Sequence, residues 1–195
     1  TVALLNKELG IVNLSDLEKA LHGDTLKGLF GIGDKKIENI VKGITLFKTS
    51  QQRISIGMAY PVVKRIIEEL KHNPKIQDIQ AAGSLRRMKE TVGDIDILVS
   101  GAEGTEIVKS FVNMRGVTQI LAAGDTKGSV RIEEGVQVDL RVVREDEFGA
   151  ALQYFTGSKE HNVHLREIAR KKGLKVSEYG IFRGDKKVGG RLEEE

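Results

Sequence analysis

Apolar residues recur at two different periods along this chain of 195 residues, and the changes of period divide it into three stretches. From residue 1 to 55 the spacing is helical: NLSDLEKAL places Leu14, Leu17 and Leu21 on one face, behind a cap at Asn13 or Ser15. LKGLFGIGDKKIENIVKGI then joins two helices through Gly31 and Gly33, with Lys35 and Lys36 opening the second helix and Ile37, Ile40, Val41 and Ile44 at helical spacing along it. After Pro61 a helix, PVVKRIIEELKHN, leads into a strand at KIQDIQAA, and the period falls to two. Strands are expected at 94–100, VTQILAA, GSVRIE and VQVDLRVV, with a helical interval, TEIVKSFVNMRG, between the first two. From EDEFGAALQYFTGSKEHNVHLREIARKKG the pattern is helical again, and it ends in the turn-rich EYGIFRGDKKVGGRLEEE. The fold expected is α+β, with a helical subdomain over 1–55, a mixed sheet with flanking helices over 56–145, and a third subdomain over 146–195.

Composition narrows the chemistry. With 39% apolar residues the chain can bury a core, and no run approaches the ~18 apolar residues of a membrane span. TVALLNKELG has neither the basic flank nor the apolar block of a signal peptide, which points to a cytoplasmic protein, nucleoid-associated in a prokaryote, with no membrane partner. The absence of cysteine excludes disulfides and thiolate metal sites, so a metal would be held by oxygen or imidazole ligands, which favours hard ions such as Mg²⁺. A balance of 31 basic to 28 acidic residues, +3 overall, permits a polyanionic partner without requiring one.

Candidate chemistry concentrates in AAGSLRRMKETVGDIDILVS. Side chains alternate on a strand, so Asp94 and Asp96 share one face while Ile95 and Ile97 point to the core. Asp139 is a third acid inside an apolar strand. Three carboxylates from two strands suit two Mg²⁺ ions about 3.5–4 Å apart serving an in-line phosphoryl transfer; the same pattern also fits solvent-facing aspartates on a half-exposed sheet. Gly83 and Ser84 close a strand and open a short turn bearing Arg86 and Arg87, where a hydroxyl and guanidinium groups can hold phosphates. The Gly31–Lys36 stretch has the pattern of a helix-hairpin-helix gripping the DNA backbone through Gly31, Gly33, Lys35 and Lys36, and equally that of a plain αα-hairpin that needs two glycines to turn.

GSLRRMKETVGDIDILV, VQVDLRVV and YFTGSKEHNVHLR together resemble the family X DNA polymerases, the group of DNA polymerase β, and the resemblance is closest to the bacterial and archaeal branch. It implies helical fingers, a nucleotidyltransferase-type palm and a partial thumb. By position, Asp94 and Asp96 match the aspartates that bind both metals, and Asp139 the third, which helps activate the primer 3′-hydroxyl. Gly83, Ser84 and Arg87 match the holders of the β- and γ-phosphates, and Arg53 in QRIS has the spacing of an arginine that reaches the triphosphate. Tyr154 and Phe155 match the aromatic pair against the sugar, closed by the turn at Gly157-Ser158, although without the following TGS they would be read as core aromatics. Asn162 and Arg166 match residues at the minor-groove edge and the template, and Arg141 an arginine that pairs with a metal-binding acid before closure.

Departures from DNA polymerase β limit the transfer: Gln137 replaces an arginine near the primer terminus, and Lys159 and Val163 replace an acid and a base. The function implied is DNA-directed DNA polymerisation, adding deoxynucleoside triphosphates to the 3′-hydroxyl of primed or gapped DNA in repair, by a monomer using two Mg²⁺ ions or Mn²⁺ in their place. The resemblance further implies a fragment without the N-terminal lyase-type domain and the downstream phosphoesterase domain of many relatives. The alternatives are a nucleotidyltransferase acting on RNA ends or a small molecule, and a non-catalytic DNA-binding module.

Overall fold

A computed structural model describes the chain apart from residues 24, 27, 28, 30, 51 and 52 and the side chains of 46–50. The chain divides into two compact units, Thr1–Gln51 and Gln52–Glu195.

The first unit is helical: α1 (Val2–Leu9), α2 (Leu14–His22) and α3 (Asp34–Ser50). Of the two caps the sequence allows for α2, Asn13 is the one used, its side chain accepting from the Asp16 amide at 2.9 Å. Leu5, Leu26 and Ile32 form a small core, joined by Leu17, Leu21 and Ile37. Residues 27, 28 and 30 of the expected hairpin lie outside the described residues. Its second helix is α3, entered through Gly31, whose φ of +85° favours glycine, and Lys36 Nζ donates to the Gly31 carbonyl at 2.9 Å.

The second unit opens with β1 (Ile54–Ser55) and α4 (Ile56–Leu70), followed by β2 (Asp78–Ala81), the short α5 (Gly83–Arg86), β3 (Thr91–Val92) and β4 (Asp94–Ser100). Then come α6 (Gly104–Val112), β5 (Val117–Ala123), β6 (Lys127–Ile132) and β7 (Gln137–Val143). A 3₁₀ turn over Glu145–Glu147 leads to α7 (Phe148–Thr156), α8 (Lys159–Lys171) and strands β8 (Lys175–Ser177), β9 (Gly180–Arg183) and β10 (Lys186–Gly189).

Several boundaries differ from the expectation for physical reasons. α4 begins five residues before Pro61 rather than at it. Pro61 removes one intrahelical bond, yet Ala59, Val62, Val63, Ile66 and Leu70 are all buried, and that packing outweighs the local penalty. The helical stretch expected over 145–173 is broken at a cis Gly157-Ser158 peptide, where Ser158 caps α8 by accepting from the His161 amide. The turn-rich tail is a three-stranded antiparallel sheet, β10-β9-β8, whose four-residue or shorter strands are too brief to display a period.

The main sheet has the order β2-β4-β7-β6-β5, with β4 and β7 parallel and the other neighbours antiparallel. On one face Ile95, Ile97, Val99, Val138, Leu140 and Val142 pack with α4 and α6 into the principal core. On the other face a smaller cluster of Ala82, Leu98, Ala151 and Leu152 seats α7. Because α7 covers only the Leu98 end, the beginning of β4 stays open on that side. The acids lie there.

Candidate active site

The register of β4, β7 and β6 arranges the open face in rows. Asp94 stands opposite Gln137, and Gln137 opposite Arg131; Asp96 opposite Asp139, and Asp139 opposite Ser129; Leu98 opposite Arg141, and Arg141 opposite Lys127. Carboxylate oxygens of Asp94, Asp96 and Asp139 all lie within 4.8 Å of one another. Gln137 Nε2 steadies the third acid, donating to both Asp139 oxygens at 3.2 and 3.0 Å and to Ser129 Oγ at 3.3 Å.

Three acids this close cannot all ionise cheaply. Asp96 is pushed up to about 7, first by burial and then by the charges of Asp94 and Asp139, against the opposing pull of Arg87 and Lys127. Asp94, at the lip, is raised by partial desolvation in the cleft and then by Asp139, with Arg53 working the other way. The donor set is all oxygen, anionic and convergent, so it fits a hard divalent cation, which would relieve the repulsion directly.

The turn that carries Ser84 and Arg87 abuts the triad. Gly83 has φ +59°, and a β-carbon there would overlap the Asp96 carboxylate, so glycine is required both for the backbone and for the approach. Arg86 pins this turn from behind, donating to Thr156 Oγ1 at 2.8 Å and to both Glu193 oxygens at 2.7 Å. Arg87 reaches the carbonyl of Thr156 at the end of α7. Arg53 arrives through the β1–β3 ribbon, which the sequence reading lacked: Ile54 pairs with Val92, and Arg53 bonds Thr91 through Nε at 2.9 Å and Nη2 at 2.5 Å.

An open cleft of about 550 Å³ brings together Arg53, Gly83, Ser84, Arg87, Asp94 and Asp96 with Tyr154, Phe155, Gly157, Asn162 and Arg166. Asp139 lines a smaller adjoining hollow with Asp96, Lys127, Arg141 and Phe155. Tyr154 and Phe155 meet edge to face at 5.2 Å between centroids. Phe155 also packs against the smaller core, so it is partly the core aromatic that it would be read as without the following TGS. Arg141 departs from the expected ion pair: its guanidinium lies 5.5 Å from the Phe155 ring centre. Asn162 is buried, its amide bonded to Tyr154 and Gln153. Lys89 and Lys127, not singled out in the sequence, add cationic charge. Only the pairing of β6 with β7 puts Lys127 beside the acids, and no local motif signals that. Gly31, Gly33, Lys35 and Lys36 belong to the other unit.

A mixed sheet bearing an acidic triad beside a tight glycine turn and a pair of aromatics has the form of a palm of the nucleotidyltransferase type, followed by a thumb-type subdomain. The family comparisons agree in detail: residues 53–140 match the DNA polymerase beta palm and residues 151–195 the DNA polymerase beta thumb. The chain belongs to the family X DNA polymerases. It is 36% identical over 182 residues to the DNA polymerase/3′-5′ exonuclease PolX of Bacillus subtilis (strain 168), covering 92% of this chain and 32% of that protein. It is 31% identical over 119 residues to DNA polymerase lambda of Rattus norvegicus, covering 52% of this chain and 21% of the relative. Repair DNA polymerase X of African swine fever virus is 28% identical over 113 residues, with 55% of this chain and 65% of that protein covered. The chain thus spans about a third of the bacterial relative's length. In fold it matches Leishmania infantum polymerase beta in a ternary P/T complex at TM-score 0.68 and 23% identity, over 93% of this chain and 73% of that one. Among the described residues no helix is long and apolar enough to cross a membrane.

Proposed function

We propose that this chain is a DNA-directed DNA polymerase that extends a primer 3′-hydroxyl across short gaps in repair, with two Mg²⁺ ions, or Mn²⁺ in their place, held by Asp94, Asp96 and Asp139. The observation that carries the reading is the register that sets Asp96 opposite Asp139, with Asp94 two residues away and the Gly83–Arg87 turn against them. The ions would neutralise the triphosphate and make the 3′-hydroxyl a better nucleophile.

The side chains take complementary parts. Ser84, Arg87 and Arg53 bind the outer phosphates of the incoming deoxynucleotide, so that its α-phosphorus faces the triad. Asp139, steadied by Gln137, helps activate the 3′-hydroxyl, whose oxygen bonds to the α-phosphorus as pyrophosphate leaves. Tyr154 and Phe155 pack against the sugar, with Gly157 and Ser158 closing the wall; Arg166 faces the nascent pair and template, while the Asn162 amide, expected there too, turns inward to Tyr154 and Gln153. Gly31, Gly33, Lys35 and Lys36 grip the DNA backbone without reading sequence. The structural neighbours, Leishmania infantum polymerase beta in a ternary P/T complex and in a ternary gap complex, support primed and gapped DNA as the substrate class.

The test is metal-dependent incorporation on a gapped duplex, run beside RNA ends and DNA binding alone. Template-directed extension of the DNA primer is expected. Binding without incorporation, or incorporation confined to RNA ends, overturns the reading.

A further inference from the structure

The end of a helix leaves carbonyls that no following turn can serve. Tyr154 O, near the end of α7, receives its donor from the next helix: Asn162 Nδ2 at 2.7 Å. A backbone carbonyl only accepts, so this bond fixes the polarity of what lies behind it. The amide of Asn162 presents Nδ2 to Tyr154 and Oδ1 away from it, and there Gln153 Nε2 donates at 2.8 Å. Asn162 is 9% exposed, so water competes little for these bonds. The relay closes a ring across the turn at Gly157-Ser158, from Gln153 through Asn162 to Tyr154. Among the described residues that line the cleft Gln153 is not one, so it acts on the cleft through Asn162.

We propose that Gln153 is a positioning residue for sugar selection: by orienting the Asn162 amide it holds the Tyr154 carbonyl, and with it the Tyr154–Phe155 wall, in place against the incoming sugar. The proposal rests on the polymerase reading above. Its decisive variant is Gln153→Glu, which keeps the volume and turns the donor into an acceptor. A carboxylate there draws Nδ2 of Asn162 toward itself, leaving Oδ1 facing the Tyr154 carbonyl. The wall then loses its tie while the packing is preserved.

Primer extension with matched deoxy- and ribonucleoside triphosphates gives the first readout. The ratio of kcat/KM values, deoxy over ribo, is expected to fall about fivefold in Gln153→Leu, as for one lost hydrogen bond, and further in Gln153→Glu. In an Asn162→Ala background the Gln153 changes should add nothing. A ratio within twofold of wild type in both Gln153 variants, or additive effects in the double variants, overturns the proposal. Hydrogen exchange at the ¹⁵N-labelled Asn162 side-chain amide is the second readout and needs no turnover. Protection is expected in the wild type and should drop about fivefold in Gln153→Leu, where no donor holds Oδ1 and no new acceptor captures Nδ2; equal protection in both overturns the positioning role. A wild-type chain that extends no primer indicts the polymerase reading instead, and the exchange measurement still decides the relay.

Discussion

Asp96 and Ile97 are neighbours in the chain and opposites in surroundings. Ile97 is 2% exposed, and with Ile95, Val138 and Leu140 it forms the dry side of the β4–β7 pair under α4 and α6. Asp96 faces the other way, into a cleft where two further carboxylates lie within 4.8 Å. One pleat separates a surface that gains stability by excluding water from one that gives some up by gathering like charge. The acidic side is itself graded. Along β4 it passes from Asp94 at the lip, through half-buried Asp96, to Leu98 at 1% and Ser100 at 0% exposure, because α7 covers only that end. The dry face and the covered end hold the backbone still where the acids converge, and for that reason the site tolerates its own repulsion.

This contrast makes separable predictions. The largest effect belongs to the acid face: Asp139→Ala should reduce primer extension at least about a thousandfold while nucleotide binding and folding persist, since Asp94 and Asp96 remain. Extension within tenfold of wild type, in a single-turnover assay, would sink the assignment. On the opposite face Ile97→Ala should cost about 2–5 kcal/mol in urea unfolding, the usual range for a fully buried aliphatic truncation. If it cost less than Asp139→Ala, the division of labour between the faces would be wrong.

Asp96 sharpens the comparison because its removal should stabilise. Its folded-state pKa, about 7, lies above the ordinary carboxylate value, so the unfolded chain releases the proton first. Below about pH 4 both states are protonated and nothing is lost; stability falls as pH rises toward 7 and the deficit is complete above it. Without divalent cation, Asp96→Asn should therefore raise the unfolding free energy at pH 8 by up to a few kcal/mol and leave it unchanged near pH 4. Added Mg²⁺ should stabilise the wild type and not the variant. Equal stability of the two at pH 8 would show that the acids do not strain one another. The smallest effect is at the covered end, where Ser100 Oγ donates to Asp78 Oδ2 at 2.9 Å and accepts from the Asp78 amide at 3.0 Å. Ser100→Ala should cost about 1 kcal/mol by thermal unfolding, with extension little changed.

The acid pair was legible because Asp-Ile-Asp carries its own period and neighbouring residues decide which face it takes. Asp139 could be recognised as an acid in an apolar strand, but its position opposite Asp96 could not, since a parallel register is fixed by packing across some forty intervening residues. The same long-range origin hid Lys127 and the β1–β3 ribbon that delivers Arg53. Pro61 misled because its local penalty is visible in the sequence, while the buried face that overrides it is not. The inward turn of Asn162 was equally invisible: spacing on a helix gives the face of a side chain and says nothing of which carbonyl it will find.

Gly83 carries a consequence for how such a site can vary over time. The space its missing side chain leaves is filled by the Asp96 carboxylate, so the smallest substitution available to the gene, one added methyl group, displaces that carboxylate and strains the Gly83–Arg87 turn in a single event. No gradual route leads through that position. Drift at residue 83 meets a wall at its first step, and the history of the site has to run through the residues around it.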